Sequence, residues 1–381
     1  MRILLMADVP PDPNAGASGT ELRTIEALRA QGHEVDAIWA GDLGRRIAHG
    51  NLHYLVELPR AYRRALSAAL TQKRYDVVHV NQPHGWLAAK WLRDISDRPQ
   101  FVHRSHGLEP HVDEVVSEWR ERLGHERAAS PHRRLMRAAM QRLLDRHVRA
   151  IARYADGHIV SASLDRDYLT AHYGVAAERI AVIPQAAPDE FLTADAPPMT
   201  SERYRRVLHV AQTAFFKAPM ITAAAINRLA ADPDRTFTWV SDRSSHASIR
   251  AMLTAEAGAR TELLHWMPQD ALRDVYDAHG VFLFPSFFEG FGKAFLEAMS
   301  RGLCVIASDA GGMHDVITHG VDGVLVPPGD AEAIADAVRA LTPERAASMS
   351  VAAAQTARRY TWDRVARETA AFYRRLMEAK R

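Results

Sequence analysis

The stretch VFLFPSFFEGFGKAFLEAMSRG, residues 281–302, joins a short apolar run to a helix-like segment through a turn rich in glycine. Val281–Phe284 has the composition and length of a buried strand, and Pro285 ends it. Apolar residues at helical spacing predict a helix that begins near Gly292. A strand, a turn and a helix in this order form the repeating unit of a parallel α/β sheet.

The turn between this strand and this helix is a predicted ligand site. It lies at the carboxyl end of a parallel strand, where open α/β sheets bind their ligands. Gly290 and Gly292 let the backbone approach a ligand closely. The main-chain amides of Phe291, Gly292 and Lys293 form a helix start, which suits oxygen-rich or anionic groups.

Two glutamates, Glu289 and Glu297, stand eight positions apart around the same turn. A carboxylate can accept hydrogen bonds from two hydroxyl groups. A ligand with two diols would suit the pair, with sugar hydroxyls near Glu289 and ribose hydroxyls near Glu297. The alternative interpretation, in which both acids only complement the helix dipole, also fits the spacing.

Length and composition narrow the class of protein. The chain has 381 residues, 47% of them apolar and 25% charged, with a formal net charge of +2. This size predicts two domains, and the charge favours no nucleic-acid partner. Cys304 is the only cysteine, which excludes a disulfide framework within the chain and fits a cytoplasmic protein. The first residues are predicted to form a strand rather than a signal peptide. No apolar run reaches the length of a membrane span.

Short apolar strands alternate with helical segments along both halves of the chain, which predicts an α/β fold with two doubly wound sheets. A proline-rich stretch over Pro188–Ser201 has the composition of a linker. We therefore expect an amino-terminal domain over 1–195, a carboxyl-terminal domain over 196–360 and a terminal helix over 361–381 that crosses back to the first domain.

A long helical segment over 112–154 departs from this alternation because it is rich in arginine. One interpretation is a solvated helix face. A second is a basic face over 120–153 that docks on an anionic membrane or an anionic acceptor. Direct nucleic-acid binding is the third. The arginines are Arg120, Arg122, Arg127, Arg133, Arg134, Arg137, Arg142, Arg146, Arg149 and Arg153.

The run PSFFEGFGKAFLEAMSRG, with CVIASDAGGMHDVITHGVDGVLVPPGD after it, resembles the family-4 retaining glycosyltransferases. Their acid–seven residues–acid motif is matched by Glu289 and Glu297. On the amino side the likeness continues through RILLMA, a loop with Gly16 and Gly19, GHEV, YDVVHVNQP and SHGLEP, so it spans nearly the whole chain. The resemblance implies the GT-B fold, in which two Rossmann-like domains face an interdomain cleft.

The resemblance also implies roles for individual residues. Glu289 contacts the transferred sugar, and Glu297 holds the ribose of the nucleotide. The amides of Gly290–Lys293 face the sugar and the diphosphate. His106, in the turn after a strand of the first domain, faces the sugar across the cleft. The family also uses the glycine-rich loop with Gly16 and Gly19 on the donor side.

One departure from the family pattern concerns the diphosphate. The family places an arginine and, five residues later, a lysine after the first strand of the second domain. In HVAQTAFFKAP, Lys217 matches the lysine, but Gln212 stands where arginine is expected. The loss of one charge-assisted donor typically costs about 2–4 kcal/mol in the transition state. Lys293 or Arg243 could compensate.

Function is implied by the same resemblance. The expected donor is a nucleotide-diphosphate sugar, either a UDP- or a GDP-sugar, used without cofactor or metal. The expected reaction retains configuration, and the catalytic residues are His106, Glu289 and Lys217. A sugar, glycolipid or small-molecule acceptor binds the first domain near the loop over Pro10–Gly19, Glu109 and the arginine-rich helices. Such an enzyme would serve bacterial surface glycan or glycolipid synthesis, in the cytoplasm or at the inner face of the membrane.

Two alternatives stay open. A catalytically weak, nucleotide-sugar-binding subunit that supports a partner enzyme would explain Gln212. A phosphorylase or sugar-phosphate synthase would share the fold. Other signals are weak. Asp165-Arg166-Asp167 has the Asp-x-Asp form of a metal site but lies at a predicted helix start, where acids favour the helix dipole. Cys304 is predicted to be a buried strand residue, and Ser105–His106 lacks the nucleophile-elbow pattern of serine hydrolases.

Overall fold

A computed structural model describes residues 1–13, 16–124 and 131–380. Within this part of the chain there are two compact units. The first consists of Met1–Pro184 together with residues 362–380, and the second is Gln185–Thr361. Each unit is built around one parallel sheet.

The described residues of the first unit form a six-stranded parallel sheet in the order β2-β1-β3-β4-β5-β6. The strands are β1 (Arg2–Met6), β2 (Glu34–Ile38), β3 (Val77–Asn81), β4 (Gln100–Arg104), β5 (Gly157–Val160) and β6 (Ile180–Val182). In the register, Leu5 lies opposite Ala37 on one side and His79 on the other. The order changes direction between β1 and β3, the kind of switch point at which α/β sheets bind ligands.

The second unit repeats this plan with the order β12-β11-β10-β7-β8-β9. Its strands are β7 (Arg206–Val210), β8 (Thr236–Val240), β9 (Thr261–Leu264), β10 (Val281–Phe284), β11 (Cys304–Ser308) and β12 (Val324–Val326). The switch point lies between β7 and β10, where Val207 pairs with Val281. Both sheets confirm the fold class that the alternation predicted.

Helices connect the strands in chain order. The earlier ones are α1 (Gly16–Ala30), α2 (Ala40–Leu43), α3 (Gly50–Leu52), α4 (Leu58–Gln72), α5 (Trp86–Leu92), α6 (Glu109–Arg122), α7 (Pro131–Tyr154), α8 (Ser163–Tyr173), α9 (Asp189–Leu192) and α10 (Ser201–Arg205). The later ones are α11 (Pro219–Leu229), α12 (His246–Met252), α13 (Ala255–Ala259), α14 (Gln269–Asp277), α15 (Lys293–Ser300), α16 (Gly312–Val316), α17 (Ala331–Arg339), α18 (Pro343–Ala357) and α19 (Trp362–Glu378).

The strands are apolar because helices cover both faces of each sheet. In the second unit, Phe282 and Phe284 of β10 are fully buried with Phe295 and Leu296 of α15. Burial of a side chain of this size contributes about 1.5–3 kcal/mol. Cys304 is buried in β11, as predicted.

The predicted loop over Pro10–Gly19 was wrong at its end, because α1 already begins at Gly16. The hydroxyl of Ser18 donates to the carbonyl oxygen of Asp12 over 3.0 Å and ties the preceding chain to the first turn of the helix. A Cβ on Gly19 would lie 2.6 Å from the carbonyl oxygen of Pro13. Gly16 and Gly19 are therefore helix residues, and Gly19 lets the chain pass closely over the helix.

The predicted linker contains the short helix α9, and it packs with the second unit. Phe191 is fully buried in the core of that unit. Arg301 donates to the carbonyl oxygens of Phe191 and Ala194 over 3.2 and 2.8 Å. The boundary predicted between residues 195 and 196 therefore differs from the observed one, between Pro184 and Gln185.

The terminal helix α19 packs on the first unit. Its Tyr373 forms a hydrogen bond with Nδ1 of His79 in β3. Gln31 donates from its side-chain amide to a carboxylate oxygen of Asp363 over 2.9 Å. Residues distant in sequence from β3 therefore complete the layer beside this sheet.

Candidate functional site

A loop that follows β10 holds Glu289 almost completely buried, with 5% of the residue exposed. Its Oε1 accepts a hydrogen bond from Oγ of Ser286 over 2.7 Å. The same oxygen lies 2.5 Å from Nζ of Lys217. Ser286 comes two residues after the strand ends, so the strand end orients the carboxylate. The structure thus brings together two predicted site residues that are 72 positions apart in the chain.

Lys217 ends a 3₁₀ turn, Phe215–Lys217, in the segment after β7. Its Nζ lies 5.3 Å from the ring centroid of Phe216 and 5.4 Å from that of Phe284, so the aromatic faces add cation–π attraction. The amide of Phe287 donates to the carbonyl oxygen of Phe216 over 2.8 Å and joins the turn to the loop. Because β7 and β10 flank the switch point, both groups stand at the expected ligand position of this sheet.

The start of α15 is shaped by Gly292, which has a φ of 89°. A Cβ there would lie 2.8 Å from the ring of Phe284 and 3.3 Å from Cγ of Glu289. Among the described residues, the amides of Gly290, Phe291 and Gly292 donate no backbone hydrogen bond. Such amides at a helix start can bind the oxygens of an anion.

Glu297 lies in α15 and is 7% exposed. The hydroxyl of Tyr276 donates to its Oε2 over 3.1 Å. Burial raises the pKa of Glu297, while the charge of Lys293 and the hydrogen bond from Tyr276 oppose that rise. When ionised, the carboxylate can still accept further hydroxyl donors.

A second turn supports the loop and was not assigned a role from the sequence. Gly311, after β11, has a φ of 53°, and a Cβ there would overlap the carbonyl oxygen of Glu289. A Cβ on Gly312 would lie 2.5 Å from the carbonyl oxygen of Phe291. The adjacent glycines after a strand were the available signal, but only the tertiary structure shows which loop they approach.

Gln212 is exposed in the segment after β7, and its neutral amide supplies no charge. Deeper in the same unit, Nδ1 of His209 is hydrogen-bonded to the carbonyl oxygen of Leu283 over 2.8 Å. Burial, with the charge of Lys217 as a lesser cause, lowers the pKa of His209 to about 4. His209 is therefore neutral near pH 7 and does not replace the missing arginine.

In the first unit, His106 follows β4 and is held by a buried acid of α1. Nε2 of His106 lies 2.7 Å from Oε1 of Glu21, which is fully buried. Nε of Arg104 lies 3.7 Å from the same oxygen. Burial alone would raise the pKa of Glu21, but Arg104 and His106 overcome it and hold that pKa at about 2. Because an ionised carboxylate only accepts, Nε2 of His106 carries the proton.

The network around Glu21 extends to distant parts of the unit. Nε2 of His79 lies 4.0 Å from Oε2 of Glu21, and Nδ1 of His79 bonds to Tyr373 of α19. Burial lowers the pKa of His79 to about 4, so this histidine is neutral near pH 7. Glu21 was not predicted as a site residue, although it lies on the buried face of α1 with Ile25 and Leu28.

The arginine-rich segment contains the helices α6 and α7. Arg127 lies outside the described residues, as do the side chains of Arg133, Arg134 and Arg137. The described arginines near the end of α7 are exposed, namely Arg142, Arg146, Arg149 and Arg153. Arg149 is paired with Asp145 over 2.7 Å.

Asp165, the first acid of the Asp-x-Asp sequence, is buried and pairs with Nδ1 of His111 over 2.9 Å. Asp167 is exposed and pairs with Arg166. In the described part of the chain, no group of three or more His, Cys, Asp or Glu side chains is arranged to hold a metal ion. No described helix has both the length and the apolar character needed to span a bilayer.

Two family models match the chain. One, described as Glycosyltransferase Family 4, matches residues 16–191, and the other, Glycosyl transferases group 1, matches residues 204–343. A D-inositol 3-phosphate glycosyltransferase of Corynebacterium diphtheriae is 30% identical over 323 residues, which cover 79% of this chain and 70% of the relative.

Solved structures of low sequence identity share the fold. The sucrose-phosphate synthase of Thermosynechococcus elongatus matches with a TM-score of 0.74 at 22% identity, and the match covers 100% of both chains. Anabaena HepE, solved with UDP and glucose, matches with a TM-score of 0.66 at 18% identity, over 97% of this chain and 98% of that one.

Proposed function

Because the chain belongs to the group 1, family 4 glycosyltransferases of the GT-B fold, we propose that it transfers a sugar from a nucleotide-diphosphate sugar to an acceptor hydroxyl with retention of configuration. The donor is a UDP- or GDP-sugar, and the reaction uses no metal. Bacterial surface glycan or glycolipid synthesis is the setting that we propose for it.

The observation that carries this proposal is the arrangement at the switch point of the second sheet. Glu289, Lys217 and the amides of Gly290, Phe291 and Gly292 all lie there. An acid for sugar hydroxyls stands beside a cation and main-chain donors for phosphate oxygens. These are the groups that an activated sugar requires.

In the proposed reaction, the bond between the anomeric carbon and the phosphate oxygen breaks, and the electron pair leaves with the nucleoside diphosphate. The acceptor oxygen forms the new bond to the anomeric carbon, and its proton passes to the departing phosphate. Lys217 and the helix-start amides stabilise the charge that develops on the diphosphate. We assign no protein nucleophile.

We propose that Lys217 and Glu289 each change their binding partner when the donor binds. Lys217 retains 20% of its side-chain exposure, so a phosphate oxygen can reach its Nζ from solvent. As the ammonium turns toward the diphosphate, Glu289 becomes free to accept sugar hydroxyls. Glu297 is proposed to accept the ribose hydroxyls, and His106 to contact the transferred sugar.

The deciding experiment incubates the purified chain alone with UDP-, GDP- and dTDP-sugars, with and without acceptors, and measures released nucleotide and configuration of the product. We expect binding of one nucleotide class, slow release without acceptor and faster release with it. Nucleotide-sugar binding with no transfer to any acceptor would instead support the second candidate, a catalytically weak subunit that serves a partner enzyme. Gln212 in place of arginine favours that candidate.

Peripheral attachment to an anionic membrane is a further part of the proposal, and the exposed arginines of α7 support it. At low salt, the chain should sediment together with phosphatidylglycerol vesicles. A double variant, Arg142→Glu with Arg146→Glu, should stay in the supernatant because it no longer binds these vesicles. Equal binding to neutral phosphatidylcholine vesicles would contradict a role for these charges.

A further inference from the structure

Two buried polar side chains of the first unit have no role in the proposed reaction, although they lie next to the acid that holds His106. His79 lies in β3 and Tyr373 in α19, 294 positions apart in the chain, and they form a hydrogen bond with each other. Neither residue has exposed surface. Buried polar groups of this kind need defined partners, so the position of each proton in the contact can be inferred.

The direction of the hydrogen bond follows from the protonation of the tyrosine. Burial raises the pKa of Tyr373, so its hydroxyl keeps its proton near pH 7. Among the described residues, Nδ1 of His79 is the only acceptor for that proton. The hydroxyl of Tyr373 therefore donates, and Nδ1 of His79 accepts.

This direction places the single proton of His79 on its other nitrogen. Burial lowers the pKa of His79 to about 4, and the charge of Glu21 opposes that fall. Arg104 and His106 lower this pKa further as lesser causes, and the side chain of Asn81 opposes them. A neutral imidazole has one N–H group, and the bond made by one ring nitrogen decides that the other carries the proton. Nε2 of His79 is thus the protonated nitrogen near pH 7.

The two oxygens of the Glu21 carboxylate face two different N–H groups. Oε1 lies 2.7 Å from Nε2 of His106, and Oε2 lies 4.0 Å from Nε2 of His79. The second distance is longer than a hydrogen bond, so this contact is an attraction between a carboxylate and an N–H dipole. Such an attraction is strong where burial excludes water. The carboxylate is therefore held on both sides, which fixes the direction of Oε1 toward His106.

We propose that His79 and Tyr373 are positioning residues for His106. Tyr373 fixes the proton and the ring orientation of His79, His79 holds one oxygen of Glu21, and the other oxygen holds His106 toward the transferred sugar. This role rests on the proposed function, in which His106 contacts that sugar. It makes α19 part of the proposed catalytic apparatus of the first unit, although this helix follows the second unit in the sequence.

The neighbouring strand supplies a matched control histidine. His103 in β4 is as completely buried as His79. In the register, Val102 lies opposite His79 and His103 lies opposite Val80, so the two histidines point to opposite faces of the sheet. Nδ1 of His103 lies 3.2 Å from Nδ1 of His158. Substitution of His103 therefore disturbs the packing of the same sheet on the face opposite the Glu21 carboxylate.

The first test observes the ring protons by NMR of the full chain labelled with 15N-histidine, near pH 7. We expect His79 and His106 each to carry a proton on Nε2. In His79→Leu and in Tyr373→Phe, the signals of His106 should broaden or show a second tautomer, because Glu21 is no longer held on both sides. A proton on Nδ1 of His79 would overturn the proposal, and so would His106 signals that neither variant changes.

Two control variants separate this effect from a general loss of packing. His103→Leu should leave the signals of His106 unchanged. Tyr173→Phe removes a hydroxyl of the same unit that donates to Asp145 over 3.0 Å, and it should also leave them unchanged. Circular dichroism verifies that each variant is folded. Tyr373→Phe, which removes a single oxygen atom, provides the test if His79→Leu fails to fold.

The second test measures transfer kinetics. His79→Leu and Tyr373→Phe should each lower kcat about two- to tenfold, the factor that one net hydrogen bond is worth, with little change in KM for the donor. The two control variants should keep kcat within about twofold even where they lower the thermal midpoint. When His79→Leu is combined with Glu21→Gln, it should add little further loss, because both residues act through one carboxylate. Losses that simply multiply would overturn the proposal.

Failure of the proposed function gives a different result. If the chain transfers no sugar but His79→Leu and Tyr373→Phe still disturb the tautomer of His106, the transferase activity is contradicted and the positioning of His106 is supported. If both variants transfer sugar at the unchanged rate, the positioning role is contradicted and the proposed function stands.

Discussion

The two units each hold a carboxylate against a cation near the carboxyl edge of a sheet, but they do so in different surroundings. In the first unit, Glu21 and Arg104 have no exposed side-chain surface. In the second, Glu289 and Lys217 retain 6% and 20%. A fully buried pair cannot dissociate without leaving a charge unsolvated, whereas a pair at the edge of solvent can exchange partners.

This difference assigns different work to the two pairs. The Glu21 network fixes the proton on Nε2 of His106 near pH 7, because the pKa of Glu21, about 2, keeps that carboxylate ionised there. In the proposed function, the bound donor separates Lys217 from Glu289. Four substitutions test whether the two pairs differ in this way, and they follow in decreasing order of expected effect.

Glu289→Ala should have the largest effect. It removes the proposed sugar-binding acid and leaves Lys217 at the edge of solvent, so the fold should survive. We expect transfer to fall at least about a thousandfold, measured as acceptor-dependent nucleotide release, with a thermal midpoint within a few degrees of the unchanged chain. Glu262→Ala, an exposed acid on β9 of the same sheet, is the control. Near-normal transfer by Glu289→Ala would show that the Lys217–Glu289 pair has no role in the reaction.

Lys217→Ala should lower kcat about a hundredfold or more, since one lost donor to developing charge costs about 2–4 kcal/mol. Lys217→Arg keeps the charge and should recover part of the loss, although its planar guanidinium differs in geometry. Single-turnover kinetics measure the chemical step. If the alanine variant changed only KM for the donor, Lys217 would bind the ground state and transition state equally.

Glu21→Gln should lower turnover about tenfold with little change in KM for the donor, because His106 would lose the anion that orients it. It should also cost about 3 kcal/mol of stability by leaving Arg104 buried without a counter-charge. Glu26→Gln, an exposed acid of α1, is the matched control.

The stability loss in Glu21→Gln has a pH signature. The folded-state pKa of about 2 lies below the ordinary value of 4.5, so ionised Glu21 contributes stability above pH 4.5 that disappears as pH falls toward 2. Thermal unfolding should therefore show the largest gap between the two proteins above pH 4.5 and a smaller one at lower pH. A gap that does not vary with pH would show that Glu21 stabilises by packing alone.

Tyr276→Phe should have the smallest effect, and it should depend on pH. Burial raises the pKa of Glu297 and the Tyr276 hydroxyl opposes that rise, so the variant raises the pKa further. A protonated carboxyl accepts fewer hydroxyl donors. Nucleotide affinity should therefore fall severalfold at the acidic end of the pH range in which the chain is folded and little at the alkaline end. Tyr204→Phe, which removes a hydroxyl bonded to the carbonyl of Leu341, is the control. Equal loss at both ends of this range would exclude titration of Glu297 as the cause.

The candidate site of the second unit was the more predictable from the sequence, because most of it is local. The strand Val281–Phe284, the turn and the start of α15 follow one another, so short-range patterns place Glu289 and Glu297 correctly at the strand end and within the helix. It failed where contacts join distant segments. The approach of Gly311 to Glu289 is one such contact, and the burial of Phe191 in the second core is another.

The contacts of the first unit were harder to predict from the sequence than those of the second. Glu21, His79, Arg104 and Tyr373 come from α1, β3, β4 and α19, and no spacing rule links them. A charged residue on a buried helix face was a visible signal at Glu21, but its partners were not visible in the chain.

Periodicity and turn residues in the chain alone determined an α/β architecture and the strand–turn–helix that carries the two glutamates, because each depends on neighbours within a few residues. Tertiary packing decided which lysine meets Glu289, which acid orients His106 and which tyrosine meets His79. Those choices depend on where separate segments meet when the apolar faces of the sheets are buried, and burial also sets which of these groups are ionised.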